Sequence, residues 1–265
     1  MGLVQDAQAI RIVLPPNAVN VEIAKLATNA MLSMKLTYMN VISSLCARTR
    51  GADINIVRQI LEEDYRFDNN YMTPTLGIGG PELMKDTLYM KHAFLQANLY
   101  HKGMLTGNIA HLEKKKRKEF VQLMLEKTRS LFHRRIAIFG VTYKSGVLDL
   151  TESPAISICK ALLRKRAFLR IYDPAVDEET ILQALGDPEP NRVAIFGNSL
   201  DACEAAHVIA FLVPLPPQLL QLDFQVIHNL MTNEPGGRYL FIGWPMVDLD
   251  DLRQMGFTVH VSGKH

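Results

Sequence analysis

The hydrophobic pattern of this chain changes abruptly at Arg135, and that change constrains the fold more than any other feature. From there, short apolar runs alternate with helical segments; the runs are RIAIFG (135–140), FLRIYDP (168–174), VAIFG (193–197), HVIAFLV (207–213), YLFIGW (239–244) and FTVHV (257–261). Apolar strands separated by helices are typical of a parallel sheet that is covered on both faces. The sequence therefore predicts a Rossmann-like, doubly wound parallel-sheet domain over residues 133–265.

The first half of the chain has no such runs and instead carries apolar residues at three- and four-residue steps. From Val21 to about Arg48 no Pro or Gly interrupts this spacing, which predicts a long helix with more than one buried face. Gly51 is predicted to end that helix, and Asp53 to cap the next one. The other predicted segments are an irregular leader (1–19), a loop (64–81) and two helices (85–103 and 108–132). The predicted class is thus α/β overall, with an all-helical domain over residues 20–132 preceding the sheet domain.

Composition limits the partners and the compartment. Apolar residues make up 48% of the chain and the net charge is +2, which indicates a globular protein with no general attraction to nucleic acid or anionic membranes. Its three cysteines are far apart and odd in number, so they predict neither a disulfide framework nor a metal site. This usage suits a reducing compartment, either the cytoplasm or the mitochondrial matrix. No apolar run approaches the roughly 20 residues that a membrane span needs.

Two helical segments place polar residues where a ligand could reach them. Lys25 and Asn29 lie four residues apart and project from one helical face, although such a pair is more often a solvated surface. The segment GIGGPELMKD (77–86) has three glycines in four residues, which allows close approach to a ligand or to another helix. Its spacing is not that of a dinucleotide-binding loop, and the alternative is a simple connection in which Glu82 favours the start of the next helix.

Two other segments have both a functional and a structural interpretation. The strand–glycine–helix pattern of residues 136–155 resembles a nucleotide cradle, and Asp173 ends the next strand, where a ribose-binding acid often lies. The G-x-G-x-x-G spacing is again absent. EKKKRKE (113–119) distributes five consecutive cations around a helix, which predicts a solvated surface; contact with RNA or an acidic partner is the alternative.

In order along the chain, these segments resemble the UDP-glucose/GDP-mannose dehydrogenase family, and most closely its UDP-glucose enzymes. The matching patterns are E-x-A-K-L-x-x-N-A, G-x-G-G-x-x-x-x-K-D, a strand with G-x-x-[FY]-K, then E-S, IYDP and A-C-x-x-A-H. The resemblance covers about residues 20–262. It implies a central helical domain that dimerises and a Rossmann-like domain that binds the UDP part of the substrate. The family's N-terminal NAD-binding domain is expected to be missing, so no cofactor is expected.

The family oxidises the C6 alcohol of the sugar to an acid by two hydride transfers, and a cysteine traps the intermediate aldehyde. Glu82, after Pro81, stands at the position of that cysteine. A carboxylate cannot hold the aldehyde as an oxidisable adduct, whereas an ionised thiol can. The resemblance therefore implies a catalytically inactive homologue with no catalytic residues.

The rest of the family's site is matched only in part. Lys25, Asn29 and Asp86 match the residues that manage the alcohol proton and the bound water, and are expected to be remnants. The matched positions of a degenerate UDP-sugar site are Arg66, Lys85, Tyr143 and Lys144. Among them, Arg66 matches an arginine that reaches the substrate of the neighbouring subunit.

Other binding positions have changed. Thr151 replaces the arginine before E-S, and Trp244, Pro245 and Met246 replace a Gly-Arg-Arg sequence after the last core strand. Neither Met nor Pro can hold a phosphate or carboxyl group as arginine does. These losses weaken any binding of a UDP-sugar.

Three functions are compatible with these residues. The first is a catalytically inactive structural subunit, either a homodimer through the helical domain or part of a larger protein or ribonucleoprotein assembly. The second is a regulator that binds a UDP-sugar weakly. The third is a dehydrogenase subunit whose NAD domain lies on another chain. The changes at Glu82 and at the arginine positions favour the first.

Overall fold

The computed structural model describes residues 17–214, 222–232, 237–244 and 249–264. Most of the predicted leader, together with Pro245 and Met246, lies outside the described residues. The helical half consists of α1 (Ala18–Cys46), α2 (Ile54–Glu62), α3 (Leu83–Gln96) and α4 (Tyr100–Thr128). Among the described residues, no helix is both long enough and apolar enough to cross a membrane.

Side-chain caps fix where α1 and α2 begin. The Asn17 side chain accepts a hydrogen bond from the backbone N–H of Asn20, and Asp53 accepts one from Asn55. The prediction that Asp53 caps the second helix is therefore confirmed. Each cap satisfies a backbone donor that has no partner inside the helix.

The predicted boundaries of the next two helices were wrong. The break falls at Asn98, whose φ is +59°, and not between residues 103 and 108; α4 also ends at Thr128, short of Phe132. Gly103, where the first of these helices was predicted to end, lies inside α4 where it packs against α3. A Cβ on Gly103 would lie 3.2 Å from the Cβ of Phe94, so this glycine permits close helix packing.

Helix α1 is polar on the face that packs against the protein. Its inner polar stripe consists of Asn29, Ser33, Thr37, Asn40 and Ser44. On the opposite side lies an outer apolar stripe, Met31, Tyr38, Val41 and Leu45, whose residues are 69%, 60%, 41% and 61% exposed. Away from both stripes, Met39 and Cys46 are buried in a small apolar core with Ile54 and Met72, so α1 is buried on more than one side, as predicted.

The second half forms a parallel sheet, as predicted. Its strands are β1 (Arg135–Phe139), β2 (Phe168–Tyr172), β3 (Val193–Ile195), β4 (Val208–Phe211), β5 (Tyr239–Ile242) and β6 (Thr258–Val261). Among the described residues their order is β3-β2-β1-β4-β5-β6, and every pairing is parallel. This order defines a Rossmann-like sheet whose connections change direction between β1 and β4.

Helices cover both faces of this sheet. They are α5 (Pro154–Arg164), α6 (Glu178–Leu185), α7 (Ser199–Cys203), α8 (Phe224–Leu230) and α9 (Asp250–Gln254). Alternate residues of β1 enter two apolar cores, with Ile136 and Ile138 in one and Ala137 and Phe139 in the other. Phe120 and Met124 of α4 join the first core, so the helical half packs directly against one face of the sheet.

Candidate functional site

The predicted remnant residues come together at the N-terminal parts of α1 and α3. Lys25 Nζ lies 3.4 Å from Glu82 Oε2, and both side chains are exposed. Beside them, the Asn29 amide donates to Asp86 Oδ2 at 2.7 Å in a buried hydrogen bond, and Lys85 Nζ lies 3.9 Å from Asp86 Oδ1. Glu82 is the N-cap residue of α3, but its side chain makes no capping hydrogen bond. Its carboxylate instead faces the Lys25 ammonium.

Glu113, an acid that the sequence interpretation missed, organises the next part of the inner polar stripe. It is 1% exposed, and its Oε1 accepts from Thr37 Oγ1 at 2.8 Å and from Asn40 Nδ2 at 3.3 Å. Its Oε2 accepts the backbone N–H of Ile78 at 2.7 Å. This single carboxylate therefore ties α4 to α1 and to the glycine-rich loop. The four- and three-residue spacing of the stripe in α1 was the signal that could have revealed a buried polar partner.

The glycine-rich loop makes a close contact with the sheet half. A Cβ on Gly79 would lie 2.6 Å from Tyr143 Cβ and 2.8 Å from Pro154 Cδ, and the Gly80 N–H donates to Thr151 O at 2.9 Å. The Lys144 ammonium lies 5.7 Å from the centre of the Tyr143 ring. Tyr143 and Lys144 are thus placed beside the loop that leads to Glu82.

Arg66 pairs with Asp64 and not with any residue of the Lys25–Glu82 cluster. It is exposed, and its Nε donates to Asp64 Oδ1 at 2.9 Å within the loop between α2 and α3. This hydrogen bond raises the pKa of Arg66 and lowers that of Asp64. Trp244 is 9% exposed and packs edge-on against Phe211, so it belongs to the apolar core.

The carboxylate proposed for ribose binding holds protein backbone. Asp173 Oδ2 accepts the N–H groups of Val141 at 2.7 Å and Thr142 at 3.3 Å, and Oδ1 accepts that of Ala175 at 3.0 Å. Asp173 is also buried. It therefore fixes the loop after β1, and its hydrogen-bonding capacity is largely used.

The prediction that EKKKRKE is a solvated surface was wrong for two of its residues. Glu113 is buried as described, and Lys116 is also buried, with its ammonium 3.3 Å from Ser44 Oγ. Burial lowers the pKa of Lys116, an effect that Glu119 and Glu113 oppose. The error arose because a charge count treats every position of a helix alike, whereas α4 is covered on two sides.

No cysteine of the chain is placed to act as a nucleophile. Cys46, Cys159 and Cys203 are all buried and free, and burial raises the pKa of Cys159 and Cys203 to about 12. A thiol with so high a pKa supplies almost no thiolate near neutral pH. In the described part of the chain, no group of three or more His, Cys, Asp or Glu residues is arranged to hold a metal.

A helical region joined to a Rossmann-like sheet, with a Lys–Asn–Asp cluster beside a glycine-rich loop, defines a class related to the nucleotide-sugar dehydrogenases. Two family models match successive parts of the chain: the UDP-glucose/GDP-mannose dehydrogenase family central domain at residues 19–107, and the UDP binding domain of the same family at residues 137–241. The chain belongs to the UDP-glucose/GDP-mannose dehydrogenase family. The resemblance predicted from the ordered motifs is thereby confirmed.

Similar proteins carry the same family name. The chain is 30% identical over 264 residues to a UDP-glucose 6-dehydrogenase of Drosophila melanogaster, covering 95% of this chain and 54% of the relative. It is 28% identical over 272 residues to UDP-glucose 6-dehydrogenase 2 of Oryza sativa subsp. japonica, covering 95% and 55%. The chain therefore spans about half the length of these curated relatives.

The fold is also found in solved structures. A UDP-glucose dehydrogenase from Pyrobaculum islandicum superposes with a TM-score of 0.77 at 21% identity, covering 93% of this chain and 51% of that one. At this identity the likeness shows the fold alone. It agrees with the predicted helical half followed by a Rossmann-like parallel sheet.

Proposed function

We propose that this chain is a catalytically inactive member of its family and serves as a structural subunit that associates through its helical half. The observation that carries the first part is the Lys25–Glu82 pair, at 3.4 Å. Where the two-step oxidation needs a thiolate, this site holds a carboxylate whose charge is balanced by the neighbouring lysine. An ion pair cannot form the covalent adduct from which a second hydride leaves.

The buried cysteines support the same proposal. A replacement nucleophile would need partial exposure and a positive environment. Cys159 in α5 has neither, and although Arg170 lies near Cys203 in α7, each thiol is enclosed in an apolar core and burial raises its pKa to about 12. Weak UDP-sugar binding by Tyr143, Lys144, Lys85 and Arg66 stays a prediction, as does membership of a larger assembly.

Inactivity has a direct assay. We expect the purified chain not to produce the two NADH per UDP-glucose of the complete oxidation, because without a thiolate no adduct forms from which the second hydride can leave. Absorbance at the NADH band, followed at substrate saturation, measures this. The variant Lys25→Ala serves as a control for contaminating dehydrogenases. NADH formation by the natural chain that disappears in Lys25→Ala would overturn the proposal, because it would locate the activity in this site.

The proposal of association rests on the two sides of α1. The inner polar stripe makes hydrogen bonds within the chain, while the outer apolar stripe faces outward with three of its four residues at least 60% exposed. A helix in a monomer normally buries its apolar side. A continuous exposed apolar stripe marks a surface that another protein covers, and a second copy of this chain supplies a matching stripe.

Substitution within this stripe tests the association. We expect Tyr38→Glu to weaken the dimer at least about tenfold, because it places a charge at the centre of an apolar interface. Sedimentation velocity over a concentration series measures the change. Leu148→Glu is the matched control, since Leu148 is 74% exposed but lies in the sheet half. A natural chain that sediments as a monomer at about 10 μM, or equal weakening by both variants, would contradict the proposal.

A further inference from the structure

A second candidate site lies at the other end of α1. A cleft of about 730 Å³ opens between the C-terminal end of α1, the C-terminal half of α4 and the edge strand β6 with the residues that follow it. Ser44 lines it, and fifteen residues of α1 separate Ser44 from Asn29, which is roughly 22 Å along the helix axis. The cleft is therefore separate from the Lys25–Glu82 cluster, and its size is that of a small-molecule site.

The lining of this cleft is strongly basic in a chain whose net charge is only +2. Seven lining residues are cationic and two, Glu119 and Glu126, are acidic; the cations are Arg48, Lys115, Lys116, Lys118, Lys127, Arg253 and Lys264. We call this the basic cleft. EKKKRKE contributes three of the seven, so part of that run has a specific place in the structure.

Only some of these charges are balanced by the protein. Lys264 pairs with Asp53 at 2.9 Å and Arg253 with Asp250 at 3.0 Å. Arg48, Lys115, Lys118 and Lys127 form no ion pair with any carboxylate among the described residues. Four such cations around one concave surface create a field that attracts anions, and low-dielectric walls strengthen it.

His260 in the cleft wall is a second, independent sign of a ligand. Its ring lies nearly parallel to those of Tyr239 and Phe241 of β5, with ring centres 6.5 and 5.1 Å away, and its Nε2 is buried without a hydrogen-bond partner among the described residues. A buried polar atom without a partner marks a place where a water molecule, ion or ligand belongs. Burial, together with the smaller effects of the Lys127 and Arg253 charges, lowers the pKa of His260 to about 4. The ring is therefore neutral at pH 7, yet it lies in a positive field.

We propose that the basic cleft binds a compact polyanion of nucleotide size that carries two or more phosphate groups. The volume of the cleft and the placement of cations on the turn after α1, on α4, on α9 and on the residues after β6 favour a small ligand held from several sides. A nucleic acid needs a longer track of cations along an open surface. This inference is independent of the proposed structural role, because the basic cleft shares no residue with the Lys25–Glu82 cluster or the outer apolar stripe.

Calorimetric titration with tripolyphosphate tests the site directly. We expect binding to the natural chain that weakens as chloride rises, and at least about tenfold weaker binding for Lys115→Glu and for Lys127→Glu. Lys114→Glu is the matched control: Lys114 is exposed in the same run but does not line the basic cleft, and its variant should bind within about twofold of the natural chain. Unchanged thermal unfolding would show that the variants are folded.

The pKa of His260 supplies a second measurement, which binding of the anion elsewhere on the charged surface would not change. Bound tripolyphosphate should raise the pKa of His260 above its value of about 4, followed by the ring proton shifts in NMR. Three results would overturn the proposal: no heat up to about 1 mM ligand, equal weakening by Lys114→Glu, or an unmoved His260. Binding of a single-stranded RNA at least about a hundredfold tighter than tripolyphosphate, with the same variants affected, would assign the surface to nucleic acid instead.

Discussion

Glu113→Ala is expected to lower the free energy of unfolding by about 3–5 kcal/mol, the largest loss that we predict for a single substitution. The carboxylate is 1% exposed and accepts from Thr37, Asn40 and the Ile78 N–H. Its removal leaves these donors buried without an acceptor. It also removes the nearby negative charge that favours the protonated form of the buried Lys116.

Denaturant-induced unfolding followed by circular dichroism measures this loss. Glu113→Gln should cost less than Glu113→Ala, because the amide keeps an oxygen that can accept from one of the donors. Glu126→Ala is the control on the same helix; Glu126 is exposed, and its loss should change the free energy of unfolding by no more than about 0.5 kcal/mol. A loss below about 1 kcal/mol for Glu113→Ala would show that the hydrogen-bonded network contributes little.

Gly263→Ala is expected to cost about 3 kcal/mol, for two reasons that add. The backbone of Gly263 has a φ of +87°, which disfavours any residue with a Cβ. That Cβ would also lie 2.3 Å from Ile54 Cγ2 and 2.8 Å from Ser43 Oγ, and Ile54 is fully buried. Because Gly263 O accepts the Ile54 N–H at 3.1 Å, a shift of this segment would also break a contact between the two halves.

Gly51→Ala separates these two reasons. Gly51 has a φ of +79°, but no atom lies within 4 Å of the position that its Cβ would take. Its substitution should therefore cost only the backbone strain, about 1 kcal/mol. Thermal unfolding of both variants, in parallel with the natural chain, measures the difference. Equal losses would mean that the contact of Gly263 with Ile54 adds nothing to the strain.

The sheet could be predicted from the sequence because each strand corresponds to one short, continuous run of apolar residues. The apolar runs at Arg135–Phe139 and Val208–Phe211 become neighbouring strands that are buried on both faces. The helical half was less predictable, since its glycines have a tertiary role. Gly103 was predicted to end a helix, but it lies where α4 passes close to α3, and no local pattern distinguishes the two uses.

The candidate site was predictable where family motifs mark it and not where distant residues complete it. Lys25, Asn29, Glu82 and Asp86 come together because their two helices pack side by side. Glu113 was hidden in a run of lysines, and its partner Thr37 lies 76 residues away. The basic cleft was unpredictable for the same reason, because Arg48, Lys127 and Arg253 meet only in the folded chain.

The hydrogen bonds of the inner polar stripe also fix the position of α1 along its own axis relative to the helices that it packs against. An apolar side can slide by a turn against its neighbours and still remain covered, whereas Asn29, Thr37 and Asn40 find acceptors in one register only. A shift of one turn, about 5.4 Å, would break all of these hydrogen bonds. The hydrogen bonds of α1 therefore fix the distance between the Lys25–Glu82 cluster, near one end of the helix, and the basic cleft, at the other end. This distance stays the same whichever surfaces of the subunit are occupied.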